Sequence, residues 1–402
     1  MKLLVLSSTF PRKNHKFLGI FVKRQVESLA NLGVNVEVIC PVRIFPPKAL
    51  LRRPFSKRMW TGWLRLINNS TETHDNTYYI SYSSPPYPWF RTFGGLFFLL
   101  FNFRKIFSVA IGVDAVFSNF IYESGLVGLF ISKKFNIPHY ISIHENIHKQ
   151  YHKAFFWKYL AKYVLSKSDI IFVNSNSTKN IIDTFVPNYT ERIKLLPLGV
   201  QGKYFQNIDG KQNLQDQVNI VTVSHFVKNK NLDVVIKAIA KYHSKNNINL
   251  TLMGDGEEHE NLLDIVKDTQ SEGYIKFIIH PTQSQIIEVF KTSSIIIQIA
   301  GHETFGLAVA EGIASGLFPI VSKSSGIVDD FELHGGFMTK IDNISVDDLH
   351  DALDYTINWL KDSPVKAVLY NNQSIIKEQY NWNKSSRYII KLHKNLLMNK
   401  GT

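Results

Sequence analysis

The chain has 402 residues, 45% hydrophobic and 20% charged, which is long enough for two domains of about 200 residues each. Its single cysteine, Cys40, excludes an internal disulfide and favours a reducing, cytoplasmic location. The net charge of +13 is uneven: residues 1–200 hold 26 basic and 10 acidic side chains and residues 201–402 hold 20 and 23, so an anionic partner is expected to meet the first half.

Hydrophobic periodicity near the start predicts a strand at 3–7, an amphipathic helix at 20–31 and a second strand at 34–40. Together they make a βαβ unit of a parallel sheet. The apolar run at the start is too short for a signal-peptide core, and no stretch reaches the ~20 apolar residues that span a bilayer. The first loop ends in Gly19, which suits a turn or a close approach of the backbone to a ligand.

The segment from Pro41 to Thr71 carries seven basic residues and no acidic one. Within it, basic side chains surround an apolar stripe at helical spacing, and the residues concerned are Arg52, Arg53, Lys57, Arg58, Trp60 and Trp63. This pattern predicts an interfacial helix on an anionic membrane, although such a stripe can also pack into a domain core. A second aromatic stretch at 87–107, with Arg104 and Lys105, allows the same two interpretations. No nucleic-acid-binding module is recognisable, so nucleic acid is not an expected partner.

The next predicted elements are a strand at 114–120, a helix at 123–135 and a strand at 139–143. The last of these runs into His144-Glu145-Asn146-Ile147-His148, formally a zinc-binding His-Glu-x-x-His pattern. Zinc binding requires both histidines on one helical face, whereas the preceding β-branched and aromatic residues place His144 at the carboxyl end of a strand. Parallel sheets bind ligands at that edge, so the pattern favours a ligand-contacting histidine over a metal site.

A turn near the middle of the chain, Pro197-Leu198-Gly199-Val200, predicts a domain boundary at 200/201. A strand at 169–173 precedes it, and the alternation restarts after it. The second half is predicted to contain strands at 218–224, 249–253 and 274–278 and helices at 231–242, 257–269, 347–361, 374–379 and 385–399.

The most informative stretch follows an apolar run at 295–299 that is typical of a buried strand. Apolar residues then recur at helical spacing until Gly316 ends the helix, which places Glu303 just before the helix and Glu311 two turns inside it. Eight residues at 100° each bring the two carboxylates to within about 80° of one face, although Glu303 precedes the regular turns. The free N–H groups of Phe305, Gly306 and Leu307 would then bind an anion, and a nucleotide diphosphate fits.

The two glutamates eight positions apart, with Phe305-Gly306 between them and Ser315-Gly316 and Pro319-Ile320-Val321 after them, resemble the signature of retaining glycosyltransferases of family 4. These enzymes have the GT-B fold. The resemblance implies an α/β architecture of two Rossmann-like domains whose parallel sheets face each other across a cleft. Residues 1–200 would be the acceptor- and membrane-facing domain and residues 201–383 the nucleotide-sugar-binding domain. The segment 384–402 would be a helix that crosses back to the first domain.

The resemblance also assigns roles to individual residues. Lys230 matches the lysine that holds the donor diphosphate, and His225 stands where the family has an arginine. The remaining matches are His144 and Glu303 at the donor sugar, Glu311 at the ribose, Gly19 and Gly254 in glycine turns, and Phe305, Gly306 and Leu307 at the phosphate. Ser224 and Asn231 replace two glycines of the family pattern, and a histidine is not permanently charged as an arginine is.

The expected function is transfer, with retention, of a sugar from a UDP- or GDP-sugar to a growing cell-surface glycan such as lipopolysaccharide or capsule. The acceptor is expected to be lipid-linked, and the protein to sit on the inner face of the plasma membrane. No Asp-x-Asp metal clamp occurs in the sequence, so neither a metal nor a cofactor is expected. Two alternatives remain open: a GT-B sugar-nucleotide epimerase, and a non-catalytic membrane-associated sugar-binding protein, which the altered Ser224-His225 pair allows.

Overall fold

The computed structural model describes residues 1–12, 18–45, 61, 72–83, 94–145, 155–208, 217–243, 247–362 and 365–400. The chain forms two compact α/β units. Unit 1 contains residues 1–174, 178–196 and 385 onward, and unit 2 contains 175–177 and 197–384. The chain therefore changes unit at 196/197, a few residues before the boundary expected from the sequence.

Unit 1 is built on an eight-stranded sheet. Its strands are β1 (Lys2–Ser7), β2 (Asn35–Ile44), β3 (Glu72–His74), β4 (Thr77–Ser83), β5 (Ala115–Asn119), β6 (His139–Ile143), β7 (Ile170–Val173) and β8 (Ile193–Leu195). Their order is β3-β4-β2-β1-β5-β6-β7-β8, and all pairs are parallel except the edge pair β3-β4. The strand order reverses direction between β1 and β5, which makes their carboxyl ends the switch point where open α/β sheets bind ligands.

In the described part of unit 1, six helices flank this sheet: α1 (Ile20–Asn31), α2 (Gly94–Ala110), α3 (Leu126–Phe135), α4 (Phe155–Lys167), α5 (Asn176–Phe185) and the C-terminal α13 (Trp382–Lys400). Leu3 and Val5 pack with α1 and α13, whereas Leu4 and Leu6, which point to the opposite face, pack with α2 and α3. Ile141 of β6 faces the same side as Leu4 and packs against α4. Helices α2, α3 and α4 therefore form one layer.

The terminal helix α13 joins unit 1 from residue 385 onward. Ser386 Oγ lies 2.9 Å from Ser28 Oγ, and Tyr140 Oη lies 2.8 Å from His393 Nδ1. Ile389 is fully buried in the same core as Leu3. The last segment thus packs on the first domain, as predicted.

Unit 2 is built on a six-stranded, all-parallel sheet with the order β11-β10-β9-β12-β13-β14. The strands are β9 (Val218–Val223), β10 (Ile248–Gly254), β11 (Ile275–Ile279), β12 (Ile295–Gln298), β13 (Phe318–Ser322) and β14 (Thr339–Ile341). Its helices are α6 (Leu232–His243), α7 (His259–Asp268), α8 (Gln283–Thr292), α9 (Leu307–Ala314), α10 (Ile327–Leu333), α11 (Val346–Asp362) and α12 (Val365–Gln379). The switch point of this sheet lies between β9 and β12.

Several elements of both units are absent from the sequence prediction. Helix α8 begins with a capping box in which Thr282 Oγ1 accepts from Gln285 N, and helix α12 is longer than the predicted 374–379. Helices α4 and α10 and strand β14 are likewise unassigned, whereas α2 overlaps the aromatic stretch noted at 87–107. None of the described helices is both long and apolar enough to cross a lipid bilayer.

Candidate functional site

In unit 2, Lys230 and Glu303 meet at the carboxyl ends of β9 and β12. Lys230 closes a 3-10 helix, Lys228–Lys230, in the loop after β9, and Glu303 lies in the loop after β12. Lys230 Nζ forms an ion pair with Glu303 Oε2, and the two side chains are 18% and 20% exposed. The two residues that the sequence comparison placed at one ligand are therefore direct neighbours at the switch point of the sheet.

Asparagine side chains fasten these two loops to each other. Asn229 O accepts a hydrogen bond from Gly301 N at 3.0 Å, and Asn229 Nδ2 donates to His302 O at 3.2 Å. Asn231 Nδ2 donates to Ile299 O at 2.8 Å while its backbone adopts a left-handed φ of 50°. Asparagine is among the few non-glycine residues that tolerate this conformation, so the turn survives the loss of the family's glycine.

A cluster of His225, Asp255 and His280 lies at the carboxyl ends of β9, β10 and β11. His225 Nδ1 donates to Asp255 Oδ1 at 3.2 Å, and His280 Nδ1 lies 3.0 Å from Asp255 Oδ2. Both rings are largely exposed. Because Nδ1 faces the shared carboxylate, Nε2 of each ring is oriented away from it and can donate to an anion when the ring carries both protons.

Gly254 brings Asp255 into this cluster. Its φ of 152° and its position make it irreplaceable, since a Cβ there would lie 1.8 Å from Ser224 O. The backbone oxygen of Asp255 then accepts a hydrogen bond from Phe226 N at 2.6 Å. Gly254 thus lets the end of β10 touch the loop after β9, and the role shown for it is in packing.

Helix α9 begins at Leu307, and Gly306 is its N-cap with a left-handed φ of 100°. As predicted, Glu303 lies in the loop before the helix and Glu311 lies inside it. The unpaired amides of the first turn begin at Gly306, and the first turn contains no acidic residue. The buried Ser325 Oγ, next to Gly306, has no hydrogen-bond partner among the described residues.

Glu311 and Phe305 are both buried. Glu311 is 6% exposed in the middle of α9. Phe305 is 1% exposed, and its ring centroid lies 5.5 Å from that of Tyr380, so its side chain belongs to the core. The sequence predicts a phosphate contact at Phe305, Gly306 and Leu307. In the structure, Gly306 and Leu307 lie at the N-terminus of α9.

In unit 1, His144 follows β6 directly and lies between two asparagines. Its Nε2 donates to Asn119 Oδ1 at 3.0 Å, and its Nδ1 accepts from Asn174 Nδ2 at 2.9 Å. The rings of Phe21 and Phe120 lie 4.6 and 5.3 Å from its ring. Although part of the residue reaches the surface, this enclosure removes water from the ring and lowers its pKa to about 3. His144 is therefore neutral, with both ring nitrogens engaged.

The neighbouring Glu145 caps a short π-helix, Ile121–Gly125. Its Oε1 accepts from Ile121 N, and Oε2 accepts from His144 N at 3.3 Å. Burial raises the pKa of Glu145 to about 7, against the opposing effect of these backbone hydrogen bonds. Glu145 is thus a structural partner of the histidine loop. His148, the second histidine of the formal zinc pattern, lies outside the described residues.

Gly19 lies at the same end of the unit 1 sheet, as the N-cap of α1. Its φ is 66°, and a Cβ there would be 2.2 Å from Thr9 O, so only glycine fits. Helix α1 then carries Phe21 onto His144. The predicted Gly19 and His144 are therefore brought together within unit 1.

The predicted membrane residues Arg52, Arg53, Lys57, Arg58, Trp60 and Trp63 lie outside the described residues. Conversely, the prediction missed Asn119, Asn174, Asp255 and His280. Each lies at or just after the carboxyl end of a predicted strand, so the rule that parallel sheets bind ligands at that edge is the signal that could have found them. Within the described part of the chain, no cluster of three or more His, Cys, Asp or Glu side chains could hold a metal ion.

Two family models match the chain one after the other. Residues 18–201 match the model described as Glycosyltransferase Family 4, and residues 205–373 match Glycosyl transferases group 1. A glycosyltransferase of Methanocaldococcus jannaschii is 23% identical over 314 residues, which cover 77% of this chain and 84% of that protein.

Solved structures share the whole fold at low sequence identity. Sucrose-phosphate synthase of Thermosynechococcus elongatus has a TM-score of 0.76 and 16% identity, covering 99% of this chain and all of that one. HepE of Anabaena, solved with UDP and glucose, has a TM-score of 0.69 and 15% identity, covering 98% of this chain and all of that one. With its two parallel-sheet domains and its two matching family models, the chain is a glycosyltransferase of the GT-B type.

Proposed function

We propose that the protein transfers a sugar, with retention at the anomeric carbon, from a UDP- or GDP-sugar bound on unit 2 to a lipid-linked cell-surface glycan. The observation that carries the proposal is the Lys230–Glu303 pair beside the open N-terminus of α9, at the switch point of β9 and β12. A cation and unpaired amides suit a diphosphate, and a carboxylate suits sugar hydroxyls. The UDP and glucose bound by the structurally similar HepE support a nucleotide-sugar donor.

In this proposal Lys230 exchanges its partner when the donor binds. A diphosphate carries more negative charge than one carboxylate and therefore competes for the ammonium group. Glu303 is then released to accept hydrogen bonds from the donor sugar, and Glu311 accepts from the ribose. His225, oriented by Asp255, adds a second contact to the diphosphate in the place of the family's arginine.

The chemistry we propose needs no covalent intermediate and no metal. The acceptor oxygen bonds to the anomeric carbon as the bond from that carbon to the phosphate oxygen breaks, and the departing phosphate oxygen takes the acceptor's proton. Lys230, Ser325 and the α9 amides stabilise the charge that develops on the leaving diphosphate. Activity that survives prolonged treatment with EDTA would be the expected result.

The lipid-linked acceptor, the cytoplasmic location and peripheral attachment to the inner face of the plasma membrane are parts of the same proposal. They are supported by the basic first half of the chain and by the acid-free segment from Pro41 to Thr71. An anionic surface would attract this half of the molecule, where the acceptor is expected to bind.

A thermal-shift screen against UDP, GDP and their common sugar conjugates tests the donor. A ligand at 100 times its dissociation constant adds about 2.7 kcal/mol to the unfolding free energy, so a cognate donor should raise Tm clearly. Lys230→Ala should remove the shift. If no nucleotide raises Tm, the donor proposal fails.

Incubation with the selected donor then separates the alternatives. Transfer to an acceptor in membrane extracts is the expected result. Conversion of the donor sugar without any acceptor would identify an epimerase instead, and donor binding without conversion or transfer would identify a sugar-binding protein.

A further inference from the structure

The outer surface of the α2–α3–α4 layer of unit 1 is unusually apolar. Seven large hydrophobic side chains on it are between 37% and 66% exposed: Leu96, Leu100, Phe101, Phe103, Phe130, Tyr159 and Tyr163. On α2, positions 96, 100 and 103 form one helical stripe, opposite the buried Phe98, Asn102 and Ile106. A helix that is apolar on both sides typically packs against the protein core on one side and against another apolar partner on the other.

The three helices present a continuous surface. The rings of Phe107 on α2 and Phe135 on α3 lie 5.8 Å apart, edge to face. Lys133 Nζ on α3 donates to Tyr163 Oη on α4 at 2.8 Å. The exposed residues of the three helices therefore form one patch, which we call the α2–α3–α4 face.

Every charged residue on these helices is basic. Residues 94–110, 126–135 and 155–167 contain no Asp or Glu, and their charged side chains are Arg104, Lys105, Lys133, Lys134, Lys158, Lys162 and Lys167. Arg104 lies over the ring of Phe103, 5.8 Å from its centroid, so charge and apolar surface are interleaved. Helix α11 of unit 2 shows the opposite pattern, since it carries four acidic residues before its first lysine at 361.

We propose that the α2–α3–α4 face docks on the surface of an anionic lipid bilayer. The partner follows from charge complementarity, because aliphatic and aromatic side chains surrounded only by lysine and arginine match the boundary between acyl chains and anionic headgroups. The inner side of α2 is held in the core by Phe98 and Ile106, so the helix lies in the interface with only its outer stripe in lipid. The inference rests on the membrane association proposed above. Helix α2 overlaps the aromatic stretch at 87–107, which the sequence pattern already allowed as interfacial, and the structure adds α3 and α4 to it.

Sedimentation of the full chain with phosphatidylcholine vesicles, with and without phosphatidylglycerol, tests the proposal. The wild type should bind only vesicles with the anionic lipid, and added salt should weaken binding. Arg104→Glu/Lys105→Glu/Lys134→Glu should lower the partition coefficient on the order of 100-fold, since each basic residue contributes about fivefold. Leu100→Ser/Phe101→Ser/Phe103→Ser should lower it about tenfold or more.

Matched controls lie on unit 2, where Tyr355 and Tyr370 are comparably exposed. Tyr355→Ser/Tyr370→Ser and Lys361→Glu/Lys377→Glu should bind vesicles as the wild type does. The thermal shift given by the donor nucleotide should be unchanged in all these variants, because the donor residues belong to unit 2. A failed nucleotide screen with intact vesicle binding would therefore remove the donor proposal and leave the docking face.

Four results would overturn the inference. The wild type could ignore anionic vesicles, or the face variants could bind them fully. If the protein were released from vesicles only by the variant Arg52→Glu/Arg53→Glu/Lys57→Glu/Arg58→Glu, the docking site would be the 41–71 segment instead. Light scattering provides the fourth: a wild-type dimer that the Leu100→Ser/Phe101→Ser/Phe103→Ser variant converts to monomer, with vesicle binding unaltered, would make the face a contact between copies.

Discussion

The two sheets of this protein share a plan and differ in the chemistry at their carboxyl ends. Both reverse strand order beside their first strand, at β1/β5 in unit 1 and at β9/β12 in unit 2. In unit 1 this end holds a neutral His144 between two amide side chains and two phenylalanine rings. In unit 2 it holds an ion pair, Lys230–Glu303. The fold thus provides the location, and the loops determine which ligand it suits.

The difference has a physical cause in solvation. Lys230 and Glu303 keep about a fifth of their side-chain surface exposed and compensate each other, so both can be charged. His144 is enclosed by uncharged groups, and the cost of desolvating a cation keeps it neutral. A charged edge suits a nucleotide diphosphate, whereas a neutral, aromatic edge suits an uncharged ligand.

The largest effect is expected at the charged edge. Lys230→Ala should lower kcat/KM for transfer at least about 100-fold, since it removes a cation from the developing charge of the leaving group. Glu303→Gln should have the opposite effect on nucleotide binding, because it frees Lys230, and should tighten it by up to about fivefold while transfer falls. Steady-state kinetics and calorimetry measure the two quantities.

Lys228→Ala is the matched control for Lys230→Ala, because Lys228 lies in the same 3-10 helix but is exposed. It should retain most activity. Equal losses in the two lysine variants, or weaker nucleotide binding by Glu303→Gln, would show that the ion pair does not define the donor site.

The histidines at the two ends of β6, His139 and His144, should make folding sensitive to acid. Burial lowers the pKa of His139 to about 4 and that of His144 to about 3, from 6.5. Below pH 6.5 the unfolded chain binds protons that the folded chain does not, so the unfolding free energy falls by about 1.4 kcal/mol per pH unit for each histidine. Glu145 has the opposite effect, because its pKa is raised from 4.5 to about 7. Between these two pH values the folded chain holds a proton on Glu145 that the unfolded chain has released, so this group stabilises the fold as the pH falls.

Glu145→Gln should remove this compensation. Between pH 6.5 and 4.5, Glu145 offsets one of the two histidine contributions in the wild type. In the variant both histidines act without this offset, so the slope of the unfolding free energy against pH should roughly double. Urea titrations at several pH values measure it, and Glu27→Gln, at an exposed position on α1, is the control. An unchanged slope would mean that Glu145 is ionised in the folded protein.

A smaller effect is expected at Asp255, which the prediction missed. Asp255→Asn keeps the size of the side chain but weakens its hold on His225 and His280, and should lower nucleotide affinity by less than about fivefold, because the cluster is exposed. Glu257→Gln, two residues away, is the control. In the same assay His225→Arg should preserve or raise affinity. A loss of transfer in His225→Arg would show that the histidine has a role other than phosphate binding.

Part of the candidate site was predictable because its signals are local. The motif from Glu303 to Val321 and the resemblance at Lys230 placed the donor residues in the second half, and the apolar run before His144 placed that histidine at the end of a strand. The unpaired amides of α9 begin one residue later than predicted, at Gly306 instead of Phe305, since Gly306 adopts a left-handed conformation that the hydrophobic pattern does not reveal.

By itself the sequence determined the alternation of strands and helices, the division into two domains and the basic character of the first half, because these depend on periodicity and composition along the chain. Tertiary structure decided what no local pattern contains. The Lys230–Glu303 pair joins residues 73 positions apart, and His225 and His280 reach Asp255 from neighbouring strands. Asn119 and Asn174 enclose His144 only because β5, β6 and β7 are adjacent in the sheet. Strand pairing sets these distances, and solvation within them sets the charge of each group.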